Sequence, residues 1–186
     1  FIQMFRYAAE PFFFAQAKEE NAKQTYADVM KYFVVFGLLI FLVVILYIDI
    51  FKYFIGPEHW EGLYIVPVVL IANLFLGIFY NLSVWYKLTN KTLYGAVIAI
   101  IGAIITLGLN IYLIPKYGFI GSAWANLICY FSMMLISYFW GRKVYKINYQ
   151  LRKILFYTLF AGIIFIISKL ANFSITSVAF TMKPPN

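Results

Sequence analysis

The sequence predicts an all-α protein, a polytopic bundle of transmembrane helices, and three observations predict it. Of its 186 residues, 64% are hydrophobic and only 12% are charged. A soluble domain carries about twice that charged share. Mean hydropathy is +0.84. Between its charges the chain holds five apolar runs, Tyr32–Ile48, Gly62–Tyr86, Thr92–Pro115, Tyr117–Gly141 and Ile154–Ser168. A bilayer core of about 30 Å needs about 20 apolar residues as helix.

Taken in order, residues 1–17 fit the end of a membrane helix. Phe1 follows no Met and no signal-peptide pattern, so the expectation is a piece of a longer protein. Pro11 cannot donate to the Tyr7 carbonyl, and the helix is expected to kink or stop there. Residues 18–31 have mixed charge and helix-forming composition, which reads as a cytoplasmic connector helix near the headgroups. Five spans are predicted within 32–171, at about 32–51, 62–86, 92–115, 118–141 and 152–171. The first is completed by Lys31, and the fifth by Lys169 with Leu170 and Ala171, their charged heads reaching back to the interface. Pro67 is expected to leave the Leu63 carbonyl unpaired. Residues 172–186 turn more polar and read as an outer loop or a cut tail.

Net charge is +8, and its placement carries the information. Ten basic residues fall on one side: Lys18, Lys23, Lys31, Lys87, Lys91, Arg142, Lys143, Lys146, Arg152 and Lys153. Four fall on the other, Lys52, Lys116, Lys169 and Lys183. That alternation follows the positive-inside rule, which makes the basic loops cytoplasmic. The charge is a topology signal and calls for no nucleic-acid partner; the bilayer is the partner it implies. Trp60 and Tyr64 at one face, and Trp85, Tyr86, Tyr94, Trp140 and Tyr157 at the other, sit where interfacial aromatic belts belong.

Few residues could carry chemistry. Arg6 and Glu10 lie four apart and share a helix face. Two readings stand: Arg6 lines a hydrated cavity and attracts an anionic headgroup, or it neutralises Glu10 at the interface. An ionised residue within a span faces protein or water, because its cost at the bilayer centre is about 2.5–3.5 kcal/mol. Asn73, Gly77 and Asn81 form a stripe in the second span. Gly95, Ala99, Gly102, Ala103, Thr106 and Asn110 share a face in the third, and Ser122, Asn126, Cys129, Met133 and Ser137 in the fourth. The small residues read as helix packing. Asn73, Asn81, Asn110 and Asn126 fit cavity lining and interhelical bonding alike.

Other signals are weaker. Cys129 is a lone mid-span cysteine, so no disulfide or metal framework forms within the chain. His59 stands alone in an outer loop. The glycosylation-type triplets at Asn81, Asn90 and Asn172 include one inside a span and one on the basic side. The seven acidic residues never pair at metal-ligand spacing inside a span. An intramembrane hydrolase or metal-dependent transferase needs such a pair. The expectation is a protein without enzymatic activity, metal or cofactor.

Three segments carry a resemblance: FRYAAEPFFFAQAKE, WYKLTNKT, and LNIYLIPKYGFIGSAWANLICYFSMM. With their order and topology, they resemble the bacterial polysaccharide-biosynthesis flippases. These exporters of lipid-linked oligosaccharide belong to the multidrug/oligosaccharidyl-lipid/polysaccharide exporter superfamily. The resemblance covers about residues 1–170. It implies one lobe, about five full spans plus a partial first helix, of a two-lobe alternating-access transporter whose N-terminal lobe lies outside this chain. It further implies a multi-pass protein of the bacterial inner membrane that exports a polyprenyl-pyrophosphate-linked repeat unit for O-antigen or capsule. Arg6 matches the cationic cavity position; Glu10 would serve coupling, and Asn73, Asn81, Asn110 and Asn126 would offer sugar hydrogen bonds. Peptidoglycan-precursor flippases and multidrug antiporters of the same superfamily are the nearest alternatives. A polytopic glycosyltransferase or polymerase is the alternative of a different class.

Overall fold

A computed structural model describes the backbone of residues 2–181, with side chains throughout except at 58, 59 and from 169 onward. Every regular element is helical: α1 (Ile2–Gln16), α2 (Ala22–Leu46), a short α3 (Ile48–Lys52), a 3-10 stretch (Pro57–Ile65), α4 (Val66–Leu82), a short α5 (Val84–Leu88), α6 (Thr92–Val144) and α7 (Leu151–Thr181). Among the described residues, four stretches are long and apolar enough to cross a membrane: Ala22–Leu46, Trp60–Leu88, Thr92–Val144 and Leu151–Ser168.

The longest stretch is two antiparallel arms, 92–117 and 119–144, reversed at Gly118. That residue has φ 56° and ψ −136°, a conformation open to glycine and costly to any residue with a Cβ. Three cross-arm contacts establish the reversal. A Cβ on Gly121 would lie 2.5 Å from the Leu113 carbonyl oxygen. Cys129 Sγ donates to the Gly102 carbonyl at 3.2 Å. Tyr94 meets Trp140 edge-on at 5.3 Å. Gly102 works by absence of side chain: a Cβ there would lie 2.5 Å from Met133 Sδ, so the arms close to direct contact.

Helix α4 lies against this hairpin, with Phe75 packed on Phe131 at 5.1 Å. On its other side α4 meets α2, whose Phe33 ring fills the space above Gly77. Helix α7 packs on α2 through Phe41 and Phe165, 5.8 Å apart. Helix α1 closes the bundle against α2, α4 and α5.

Several boundaries differ from the sequence reading, each for a local reason. Residues 18–31 are not a separate connector helix. The chain turns at 17–21, and from Ala22 one unbroken helix runs into the apolar span. AKQTYADVMKY holds neither Gly nor Pro to interrupt it. Helix α1 runs through Pro11 to Gln16. The Leu63 carbonyl is not unpaired: Pro67 stands in the first turn of α4, where a missing donor costs nothing, and Leu63 accepts from the Val66 N–H. Helix α7 continues past residue 171 to Thr181, so the segment after 171 does not begin as a loop. The end of the tail, 182–186, lies outside the described residues.

The stripe on the first arm is also narrower than predicted. Ile98 and Gly102 are buried, whereas Ala99 and Ala103 are exposed. On the second arm Cys129 and Ser137 are buried as packing residues.

Candidate functional site

The loops rich in Lys and Arg converge on one end of the bundle. Lys23 sits over the Tyr145 ring at 5.0 Å, and Gln150 Nε2 donates to Asp28 Oδ1 at 3.0 Å. Asp28 also accepts from Lys31 at 2.8 Å and from Gln24 at 3.0 Å. Buried aromatics seal this end. Trp85 is 1% exposed and donates through Nε1 to Ser137 Oγ at 3.2 Å. It stacks edge-on with Tyr86 and Tyr94, each at 5.3 Å. Tyr26, buried at the start of α2, donates to the Phe13 carbonyl at 2.9 Å. Trp85 and Tyr86 are therefore core residues and not members of an interfacial belt. Trp60, Tyr64 and Tyr157 remain exposed. Burial, reinforced by neighbouring Tyr138 and Tyr145, pushes the Tyr149 hydroxyl of the 145–150 connection above its ordinary range.

Arg6 and Glu10 come from α1 and meet α4 and α5 here. Phe5, Arg6, Ala9, Glu10, Tyr80, Ser83 and Lys87 line one small groove enclosing about 10 Å³, room for roughly one water. Glu10 forms its ion pair with Lys87. Arg6 instead places its guanidinium over the Tyr80 ring at 5.0 Å, and its Nε is buried without a hydrogen-bond partner. The groove thus holds two cations and one carboxylate. One positive charge is left over, beside an unfilled donor. A buried unsatisfied donor costs about 1–3 kcal/mol, and more when charged, so this arrangement favours an acceptor oxygen beside Arg6. A phosphate-sized anion would need the groove to open, since its space is that of about one water.

The four asparagines behave differently from one another. Asn73 Nδ2 bonds back to the Val69 carbonyl at 2.8 Å. Asn81 is buried; its Nδ2 bonds to the Gly77 carbonyl at 3.1 Å and its Oδ1 has no partner. Asn110 Oδ1 is buried and unpartnered as well. Asn126 is partly buried. Among the described residues no hydrogen bond joins any two of the four.

Comparisons with known protein families, with curated proteins and with solved structures return no match for this chain. The statement its geometry supports is a helical protein with four candidate membrane-spanning helices.

Two further features bear on chemistry. Among the described residues no three His, Cys, Asp or Glu side chains gather where they could hold a metal ion. The His59 side chain lies outside the described set. Cys129 is a free, buried thiol. Sequence reasoning missed Lys87 as a site residue, since it registered only as a topology charge. Its pairing with Glu10 joins residues 77 positions apart, and no local pattern announces such a contact.

Proposed function

We propose that the chain supplies one lobe, with five spans and a partial first helix, of an alternating-access transporter in the bacterial inner membrane. Its cargo is a polyprenyl-pyrophosphate-linked oligosaccharide destined for surface polysaccharide. The observation that carries this reading is the uncompensated Arg6 guanidinium beside Tyr80 and the Glu10–Lys87 pair. The resemblance of FRYAAEPFFFAQAKE and LNIYLIPKYGFIGSAWANLICYFSMM to polysaccharide flippases supports it.

The physics follows from the cargo. Pyrophosphate and sugars cannot enter hydrocarbon without replacement of their hydration. A guanidinium offers planar, charge-assisted bonds to phosphate oxygens, and the polyprenyl tail stays in lipid. Asn81 and Asn110 each keep a buried side-chain oxygen without a partner, which a sugar hydroxyl would reach only once the helices part, with Asn73 and Asn126 as further amides along the spans. Glu10, paired with Lys87, is the group through which a coupling ion would act. Binding and release alone complete the cycle, so the proposal requires no catalysis and no cofactor. The excess of positive charge favours an anionic cargo over the cationic compounds carried by drug antiporters.

The test is Arg6→Ala and Arg6→Lys in the intact protein. Loss of one charge-assisted contact predicts a drop of about tenfold or more in surface-polysaccharide export for Arg6→Ala. Lipid-linked intermediate should accumulate while membrane levels of the protein stay unchanged. Full export by the alanine variant would overturn the reading.

A further inference from the structure

A second and separate feature lies on the other side of α4. An apolar chamber of about 530 Å³ runs between α2, α4, the second arm of α6, and α7. Its walls include Val34, Leu38, Leu74, Met134, Ala161 and Phe165, and Thr158 already spends its hydroxyl on the Ile154 carbonyl. Two helices measure its depth independently. From Leu151 to Phe165 on α7, and from Pro67 to Leu82 on α4, the lining runs about 21–22 Å at 1.5 Å per residue. That exceeds one leaflet and fits within a hydrocarbon core of about 30 Å.

At the basic face the chamber adjoins a second space. Tyr138, Tyr149 and Leu151 line the chamber and also line this recess of about 530 Å³, formed with Arg142, Lys146, Arg152 and Lys153. No acidic side chain lines this recess. Asp28, which Gln150 links to it, is already engaged by Lys31, Gln24 and Gln150. Gln150 keeps a buried Oε1 without a partner, an acceptor suited to a hydroxyl.

We propose that this chamber and the adjoining recess together hold a resident anionic glycerophospholipid, its phosphate among Arg142, Lys146, Arg152 and Lys153 and one acyl chain between α2, α4, α6 and α7. Basic pockets between membrane helices collect anionic headgroups in this way, and a long apolar lining suits an acyl chain. Charge complementarity selects this occupant over a zwitterionic lipid. The lining shares no residue with the groove around Arg6. The inference rests only on the chain spanning a bilayer, and it stands or falls apart from the transport reading.

The experiment is native mass spectrometry of the intact protein from nanodiscs of equal phosphatidylglycerol and phosphatidylethanolamine. The unaltered protein should retain phosphatidylglycerol preferentially. Arg142→Gln with Arg152→Gln, both exposed positions, should weaken retention roughly fivefold per residue removed. Ala161→Phe should fill the chamber and abolish retention with the basic residues intact; if that variant fails to fold, the paired glutamine variant decides alone. Equal retention of both lipids, or retention unchanged by the glutamine pair, would each overturn the proposal.

Discussion

Trp85 and Trp60 stand at opposite ends of the same membrane-spanning stretch, and they are built into the protein in opposite ways. Trp85 is 1% exposed, bonded to Ser137 and stacked between Tyr86 and Tyr94. Trp60 is 39% exposed; it bonds the Ile55 carbonyl at 3.1 Å and carries Lys52 over its ring at 3.9 Å. Around it, Tyr53 and Phe54 are each 85% exposed and the chain runs through short α3 and a 3-10 stretch. The basic end is a cross-braced aromatic core tying α1, α2, α5 and both arms of α6. The opposite end is a set of local contacts. Rigidity and charge therefore coincide: the end that gathers the cations is also the end that can hold them in place.

Substitutions can break or sharpen this contrast. The largest effect belongs to Trp85→Ala, which empties a packed site and strands the Ser137 hydroxyl. Thermal unfolding of the purified protein in detergent should show a loss of about 3–5 kcal/mol. Next is Gly121→Val, whose Cβ would meet the Leu113 backbone at 2.5 Å. Backbone cannot yield as a flexible side chain does, so a loss of about 1–3 kcal/mol follows, together with faster hydrogen exchange in 119–125. Trp60→Ala should cost about 1 kcal/mol or less, since its one hydrogen bond is exposed. Equal losses for the two tryptophan variants would erase the distinction between the ends.

Much of the fold was legible because membrane spans announce themselves by length and charge. The hairpin could be read from Thr92 to Gly141, since two uncharged runs flank a single Lys116, and the reversal falls at Gly118. Trp85 was misread for a physical reason. An aromatic beside a charge at a span end has the same sequence signature whether it faces headgroups or a neighbouring helix, and only the partner, Ser137, tells them apart. The α2 boundary was missed because a polar first turn and an apolar span can share one helix when no breaker separates them. At the candidate site Arg6 and Glu10 were legible from their i, i+4 spacing. Their pairing was not: Glu10 turns to Lys87 across the bundle, which leaves Arg6 with Tyr80. Asn73 spends its donor on its own helix, as a polar side chain in hydrocarbon can whenever a carbonyl one turn back is free.

The rigid end matters to function only if its spare cation is used. The decisive measurement is the rate at which the intact protein, in proteoliposomes, moves a polyprenyl-pyrophosphate oligosaccharide across the bilayer, compared for Arg6→Ala and for the unaltered protein. A fall of about tenfold or more in the alanine variant, with partial recovery in Arg6→Lys, is the predicted result. An unchanged rate in Arg6→Ala would contradict the account.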